Sequence, residues 1–172
     1  MTYPIIRAKE SKYIDRMFLS TDCPEIMRIG REYGLEIIER PADLCTDSAL
    51  VEDVVVHGFN EIEKRIGQVD ILVLQFCNSA TLLPGMVDKG IELLKENPEA
   101  DSAVTVSPYN EFSPVRAKKI DSQGYIVPYV DVDSIENASC ERDSAQACYF
   151  CDCSLWVLRR RCITDIKSGI LP

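Results

Sequence analysis

Short apolar runs alternate with longer amphipathic stretches along this chain, and that alternation limits the fold more than any other feature. RMFLS at 16–20 and VDILVLQF at 69–76 are nearly continuous in apolar residues, which is typical of strands covered on both faces. Helical periodicity follows each run. The order strand, helix, strand, helix, strand predicts a three-layer α/β fold with a mostly parallel, Rossmann-like sheet.

Three stretches predict helices between and after these runs. In the first, CPEIMRIGREYG, Asp22 and Glu25 have the spacing of a capping box, and we expect Gly34 to end the helix. The second, SALVEDVVVHGFNEIEKRIG, repeats apolar residues at helical spacing. One side of it carries Val51, Val55, Phe59, Ile62 and Ile66. The third, GMVDKGIELLKENP, is expected to end at Asn97-Pro98.

The pattern changes after ADSAVTVSPY at 100–109. SPVRAKKIDSQGYIVPYVDVD predicts a short hairpin that turns at Ser122-Gln123-Gly124, and SIENASCERDSAQ is polar and irregular. The second half is therefore either an extension of the sheet or an arm that leaves it. The length of 172 residues favours one domain with a substantial core.

Four of the eight cysteines lie within CERDSAQACYFCDC at 140–153 and suggest a zinc site. However, ACYFCDCSLWVL at 147–158 predicts a buried strand, with Trp156 in the core. Same-face neighbours on a strand, such as Cys151 and Cys153, are about 6.5–7 Å apart, whereas two thiolates on one zinc lie under about 4 Å apart. We therefore interpret these cysteines as small hydrophobic residues that bind no metal. The single histidine, His57, falls in the middle of a predicted helix.

The net charge of −9 excludes nucleic acid as a general partner, so an anionic ligand requires a local cluster of basic residues or a bound cation. No apolar run reaches the length of a membrane span. The first residues, MTYPIIRAKESKYIDR, lack the features of a signal peptide. We therefore expect a cytoplasmic protein with reduced thiols and no membrane partner.

Polar residues follow the predicted strands at the edge where open parallel sheets bind ligands. Ser20, Thr21 and Asp22 follow the first strand, Arg40 follows the probable strand LEII, and Gln75 with CNSAT at 77–81 follows the next. Arginine at such a place is a planar donor for an anion or a base edge. The structural alternative is local: Asp22 as a helix N-cap and Asn78 as a turn residue.

These segments resemble a known family. The order SKYIDRMFLSTD, YGLEIIERPADLCTD, ILVLQ, ADSAVTVSPYNEFSPVRAKKIDSQGYIVP and a late strand is similar to the acylneuraminate cytidylyltransferases, or CMP-sialic acid synthetases. The resemblance covers nearly the entire chain, and CNSAT and SPVRAKKI indicate a divergent branch. It implies a nucleotidyltransferase that transfers CMP from CTP to an acidic nonulosonic sugar of the sialic acid type.

The resemblance also implies roles for particular residues. It assigns Ser20, Thr21, Asp22 and Arg40 to the nucleotide, with Arg40 at the base. The residues that it assigns to the sugar are Gln75, Asn78, Ser79, Arg116, Arg142 and Asp152. Asp152 stands where the family has an asparagine. The core is then 1–104, a protruding β arm for homodimerisation is 105–153, and 154–172 returns to the core.

Two family features have no counterpart in the sequence. The eight glycines nowhere form the Gly-rich, Lys-bearing loop that holds the triphosphate. The late Asp-x-Asp pair that holds Mg²⁺ in the family would lie beyond Pro172, and VDVD at 130–133 imitates it but falls in the predicted arm. The resemblance therefore implies Mg²⁺ for the full-length family and a truncated, inactive enzyme domain in this chain. The alternative is a catalytically silent dimeric scaffold or a sugar- or nucleotide-binding protein.

Overall fold

The computed structural model describes residues 2–109, 112–131, 147–164 and 166. Two units are distinguished: one spans Met1–Val104 and Cys153–Pro172, and the other spans Thr105–Asp152. Elements that begin in the first unit are α1 (Thr2–Lys9), β1 (Phe18–Thr21), α2 (Pro24–Glu32), β2 (Glu36–Glu39), α3 (Val51–Ile66), β3 (Ile71–Leu74), α4 (Met86–Glu96), β4 (Ser102–Pro108) and α5 (Arg160–Thr164). In the second unit begin β5 (Lys118–Ile120), β6 (Ile126–Pro128) and β7 (Tyr149–Arg159). None of the helices in these ranges has the length and apolar character that a bilayer crossing needs.

The strands form small, mixed sheets. β1 and β2 are parallel, in register from Phe18 opposite Glu36 to Thr21 opposite Glu39. A second sheet has the order β3-β7-β4, and β7 runs antiparallel to β3. The α/β class predicted from the sequence is confirmed, but the expectation of one mostly parallel sheet is wrong. A continuous apolar run indicates burial on both faces and carries no information about strand direction.

The second half of β7 is the centre of the first unit. Ser154, Leu155, Trp156, Val157 and Leu158 are all buried, so both faces of the strand are covered. Leu155 and Val157 pack in a cluster with apolar residues of α4, whereas Trp156 and Leu158 pack in another with residues of α3 and α5. Helices therefore lie on both sides of this strand, and the prediction that Trp156 belongs to the core is confirmed.

The first half of β7 is different, and the expectation that its cysteines are buried in the strand is wrong. Residues 149–153 are exposed, including Cys151 and Cys153, and Cys148 is half-buried. These thiols do not serve as core residues, because the helices cover only the later half of the strand. Cys153 itself has a φ of +56°, which interrupts the regular strand where the buried half begins. Cys140 lies outside the described residues.

The helix boundaries correct one prediction and confirm two. α2 begins at Pro24, and Cys23 is the N-cap residue without a side-chain capping bond. The capping box at Asp22 is therefore absent, because proline at the first helical position fixes where the helix starts. Gly34 has a φ of +78° just after α2, as expected of a C-terminal stop. α4 ends at Glu96, directly before Asn97-Pro98.

α3 presents its predicted apolar side to the core only along its middle. Val55, Phe59 and Ile62 are buried, but Val51 and Ile66 at the two ends are 43% and 38% exposed. His57 lies in this helix and is half-buried. The sequence pattern therefore predicted the orientation of the helix correctly and overestimated the length of its buried face.

The second unit contains the predicted hairpin. β5 and β6 are antiparallel, with Ile120 opposite Ile126. The Asp121 carboxylate accepts bonds from the main-chain N–H groups of Gln123 at 2.8 Å and Tyr125 at 2.9 Å. Gly124 has a φ of +87°, which a glycine adopts without strain. The turn at 122–124 is thus confirmed.

Two buried helix glycines offer a matched test of this packing. A Cβ at Gly58 in α3 would have no atom within 4 Å, whereas a Cβ at Gly90 in α4 would lie 2.7 Å from Val157 Cγ2. Gly58→Ala should raise the free energy of unfolding by about 0.5–1 kcal/mol through helix propensity. Gly90→Ala should lower it by about 1 kcal/mol or more, because Val157 is enclosed on both sides. Urea denaturation measures both, and shifts of the same sign would contradict the packing described.

Candidate functional site

A cavity of about 860 Å³ lies in the first unit, and both β1 and β3 contribute to its wall. Most of its lining is apolar, and α1, α3 and the two strands contribute half of the lining residues. Ser20, Arg40 and Gln75 also line it, and each stands at or just beyond the carboxyl end of a strand. The structure therefore brings together three of the residues that strand position and family resemblance had singled out.

Arg40 is fixed at the end of the parallel pair β1-β2. Its main-chain N–H donates to the Thr21 carbonyl at 3.1 Å and continues the ladder beyond β2. Its guanidinium Nη2 donates to the Ser20 carbonyl at 2.9 Å, and Nε lies 3.5 Å from Ser20 Oγ. The side chain is thereby held beside Ser20 with further N–H groups available, since guanidinium has five donors.

Thr21 and Asp22 differ in exposure. Thr21 is buried, and its hydroxyl accepts a bond from the Cys23 main-chain N–H at 3.2 Å. This bond organises the turn into α2, so the Thr21 side chain has a structural role. Asp22 is exposed at the same strand end. Of the three residues in the STD segment, Asp22 is the one that solvent or a ligand reaches most directly.

Gln75 carries an unusual polar group. Its side-chain Nε2 is buried and has no hydrogen-bond partner among the residues that the structure describes. A buried amide without a partner loses its hydration without compensation, which destabilises the free protein. Such a donor on the wall of a cavity is suited to meet an acceptor from a ligand. The next residue, Phe76, makes an edge-to-face contact with Trp156 at 6.2 Å between ring centroids and anchors the strand end.

The loop after β3 carries two residues that were predicted to bind the sugar, and they differ in exposure. Asn78 is exposed. Ser79 is buried, and its hydroxyl donates to the Cys153 carbonyl at 3.3 Å. Ser79 therefore ties the loop to β7, a structural contact that position in the sequence did not indicate.

The remaining predicted sugar residues belong to the second unit or lie outside the description. Asp152 accepts hydrogen bonds from the hydroxyls of Thr105 and Ser107, the latter at 3.2 Å. Arg116 is exposed and ends a short 3₁₀ turn at Pro114–Arg116. Arg142 lies outside the described residues. Asp152 is thus engaged with β4 within its own unit, and its assignment to the sugar stays a prediction.

Cys45 is a residue near this site that sequence reasoning missed. Its thiol lies 3.1 Å from the Pro41 carbonyl and 3.6 Å from the Arg40 carbonyl. Partial burial, together with the nearby Asp22 carboxylate, raises the pKa of this thiol above its ordinary value. The thiol is therefore protonated and closes the loop after Arg40. The one signal in the sequence was its place five residues after Arg40 in ERPADLCTD.

The described residues do not fit a divalent cation. Within residues 2–109, 112–131, 147–164 and 166, no three His, Cys, Asp or Glu side chains come together as metal ligands. Mg²⁺ requires several oxygen ligands in octahedral geometry, and Asp22 alone does not supply them.

The residues that form this site match a known protein family. Residues 1–122, which include β1, β2, β3 and every polar residue of the cavity, match the family described as cytidylyltransferase. The chain belongs to the cytidylyltransferase family. The resemblance inferred from STD and RPADLCTD is thereby confirmed.

Two curated relatives carry related names. The chain is 28% identical over 123 residues to a Helicobacter pylori protein, "Pseudaminic acid cytidylyltransferase and UDP-2,4-diacetamido-2,4,6-trideoxy-beta-L-altropyranose hydrolase", covering 71% of this chain and 23% of that protein. It is 26% identical over 167 residues to "Post-translational flagellin modification protein B" of Campylobacter coli, covering 93% of this chain and 66% of the relative. This cytidylyltransferase chain thus spans less than two thirds of the length of each.

A solved structure shares the fold. The CMP:2-keto-3-deoxy-manno-octonic acid synthetase complexed with CTP superposes with a TM-score of 0.64 at 14% sequence identity. The alignment covers 95% of this chain and 64% of that one. The likeness shows that the cytidylyltransferase chain has an α/β nucleotidyltransferase fold, here with small mixed sheets.

The effect of substitution on stability distinguishes the unpartnered Gln75 amide from the hydrogen-bonded Ser79 hydroxyl. Gln75→Leu should raise the free energy of unfolding by about 1 kcal/mol, because it removes a buried donor that lacks a partner. Ser79→Ala is the matched control and should lower it by about 1 kcal/mol, because the Ser79 bond to β7 is lost. Urea denaturation followed by Trp156 fluorescence measures both. A destabilised Gln75→Leu protein would show that the amide is satisfied in the folded state.

Proposed function

We propose that this chain is the substrate-binding core of a cytidylyltransferase that transfers CMP from CTP to an acidic nonulosonic sugar, with release of pyrophosphate. The observation that carries the proposal is the convergence of Ser20, Arg40 and Gln75 on one cavity at the carboxyl ends of three strands. Family membership of residues 1–122 and the names of the relatives support the same reaction.

Arg40 is the residue proposed to hold the nucleotide. The protein carries a net charge of −9, so a triphosphate requires local cationic groups. Its guanidinium is held at Ser20 by one firm bond, and its remaining N–H groups can bind a cytosine carbonyl or a phosphate oxygen. A pre-positioned donor of this kind binds without the entropy cost of ordering a mobile side chain.

Gln75 is the residue proposed to hold the sugar. Its unpartnered Nε2 offers a donor to a hydroxyl or carboxylate oxygen of an acidic sugar. The sugar class is tested by adding N-acetylneuraminate, pseudaminic acid or 2-keto-3-deoxy-manno-octonic acid separately to the CTP-loaded protein and measuring binding. Gln75→Leu and Ser79→Ala serve as the informative variant and its control, respectively.

The second candidate function is binding without turnover. It is favoured by the glycines, which nowhere cluster into a phosphate-holding loop. Mg²⁺ is expected for the family, and assays therefore include it. Binding of CTP and release of pyrophosphate are separate measurements, and together they distinguish an enzyme from a silent binding protein.

Removing the Arg40 charge should weaken nucleotide binding. Arg40→Gln should raise the Kd for CTP about tenfold or more, because a charge-assisted hydrogen bond is lost. Arg31→Gln in α2 removes the same charge from an exposed position and should leave the Kd unchanged. Isothermal titration calorimetry measures both, and equal CTP affinity of the two variants would remove Arg40 from the site. In a separate assay with Mg²⁺ and sugar, pyrophosphate release by the unmodified chain should stay at the level of the Arg40→Gln variant.

We also propose that residues 105–153 form an arm that pairs with a second copy of the chain. The cross-strand pair Ile120 and Ile126 is 73% and 74% exposed, and Tyr125 and Tyr129 of the same hairpin are 65% and 62% exposed. Large apolar side chains grouped in this way are typical of a protein interface. Arg116 and Arg142 are then the basic residues proposed to approach the neighbour's site.

Charge on the hairpin should disrupt the dimer. Ile120→Asp with Ile126→Asp should convert a dimer at micromolar concentration into a monomer, because burying two carboxylates costs more than the interface gains. Lys89→Asp, at an exposed position of α4 in the first unit, is the control and should remain dimeric. Light scattering measures the molar mass. A monomeric unmodified protein would reject the arm, and a dimeric double variant would place the interface elsewhere.

A further inference from the structure

Extending the register between β3 and β7 brings two exposed cysteines opposite each other. The two strands are antiparallel, and the last pair in the register is Leu74 opposite Trp156. Each step forward along β3 is a step backward along β7, so three more steps place Cys77 opposite Cys153. Both residues belong to the first unit, and both carry free, exposed thiols.

Two contacts show that the chain stays beside β7 after β3 ends. The Phe76 ring meets the Trp156 ring edge to face, with 6.2 Å between centroids. The Ser79 hydroxyl donates to the Cys153 carbonyl at 3.3 Å. Cys77 lies between these two anchors, in a turn closed by a bond from the Ser79 N–H to the Phe76 carbonyl at 3.0 Å. Such a turn keeps its first and fourth Cα atoms within about 7 Å of each other, so Cys77 is held close to the start of the buried half of β7.

The hydrogen-bond pattern favours a bridge at this pair. The Arg160 N–H donates to the Asp70 carbonyl at 3.0 Å, which makes these two residues a hydrogen-bonded pair. Hydrogen-bonded and non-hydrogen-bonded pairs alternate along an antiparallel ladder, so the extended register makes Cys77 and Cys153 a non-hydrogen-bonded pair. Cα atoms in such pairs are about 4.5 Å apart, and those of disulfides are about 4.4–6.8 Å apart. The expected spacing therefore suits a disulfide.

Three other thiols provide a comparison. Burial raises the pKa of the Cys45 and Cys162 thiols above its ordinary value. The thiolate is the nucleophile in disulfide exchange, so these two thiols react slowly. Cys151 is exposed, like Cys77 and Cys153, but it belongs to the second unit. Cys151 therefore serves as a control for the effect of exposure alone.

We propose that Cys77 and Cys153 are a redox-active dithiol, which a small disulfide such as oxidised glutathione converts into an intramolecular disulfide. One protein thiolate attacks the small disulfide, forms a mixed disulfide and releases one small thiol. The second protein thiolate attacks the protein sulfur of the mixed disulfide and releases the other small thiol. Two protein thiols are thus oxidised and lose two protons, and the small disulfide takes up two electrons and two protons. Neither CTP nor the sugar of the proposed function takes part.

The link would act on the end of β3. In the dithiol form, a hydrogen bond from Ser79 ties this loop to Cys153. A disulfide adds a covalent tie at Cys77, and Gln75 lies two residues before it. The two cysteines are far apart in the sequence, so the disulfide also closes a long loop and removes conformations of the unfolded chain. Oxidation should therefore order the segment that carries Gln75 and stabilise the first unit.

Disulfide mapping tests the pairing. The full chain is incubated at low concentration with oxidised glutathione, the remaining thiols are blocked, and the disulfides are located by peptide mass spectrometry. The expected main product has a bond from Cys77 to Cys153 within one chain, and a reductant should reverse it. Cys151→Ser should keep this bond, whereas Cys77→Ser and Cys153→Ser should lose it. A main product that joins Cys77 to Cys148 or Cys151, that links two chains, or that carries only glutathione overturns the proposal.

Stability and hydrogen exchange test the consequence. The oxidised protein should have a higher Tm than the reduced protein, and the amides of residues 75–79 should exchange about tenfold more slowly in it. Cys77→Ser should have the same Tm after both treatments, whereas Cys151→Ser should respond like the unmodified protein. Native Trp156 fluorescence shows that the reduced variants are folded. An unchanged or lower Tm in the oxidised protein would show that the bridge distorts the native backbone, and the position inferred for Cys77 would then be wrong.

Discussion

Burial of β7 on both faces is the constraint on which the first unit depends. Leu155 and Val157 close the cluster against α4, and Trp156 and Leu158 close the one against α3 and α5. Arginines fix the end of this strand: Arg159 donates to the Ala100 carbonyl at 2.8 Å, and Arg160 pairs with Glu63. The strand joins two apolar clusters that share no residue, so displacement of β7 would open both.

The sequence predicted the positions of elements better than their relationships. The periodicity of α3 and α4 and the turn at Gly124 depend on local burial and backbone conformation, which neighbouring residues determine. The direction of β7 relative to β3 depends on pairing between segments that are far apart in the sequence, which local periodicity does not contain. The predicted capping box at Asp22 is wrong because Pro24 fixes the start of α2 and makes Cys23 the N-cap residue.

The site follows the same division. That Ser20, Arg40 and Gln75 line one cavity could be predicted from the strand ends, because the fold class alone indicates where strand ends gather. The structural roles of Thr21 and Ser79 could not be predicted, since each depends on one hydrogen bond made after folding. Cys45 was missed because only its surroundings distinguish this thiol from the other cysteines. The sequence therefore indicates where polar side chains lie, whereas their hydrogen-bond partners in the folded protein determine their roles.

Arg40 ties the proposed nucleotide site to the end of β1. Its guanidinium donates to the Ser20 carbonyl at 2.9 Å, and its main-chain N–H donates to the Thr21 carbonyl at 3.1 Å. Both the backbone and the side chain of Arg40 are thus held by consecutive residues of β1, so the order of the β1-β2 pair fixes the position of the guanidinium. A side chain positioned in this way loses less conformational entropy when a ligand binds. In the proposed function, the parallel pair therefore contributes to nucleotide affinity without itself touching the nucleotide.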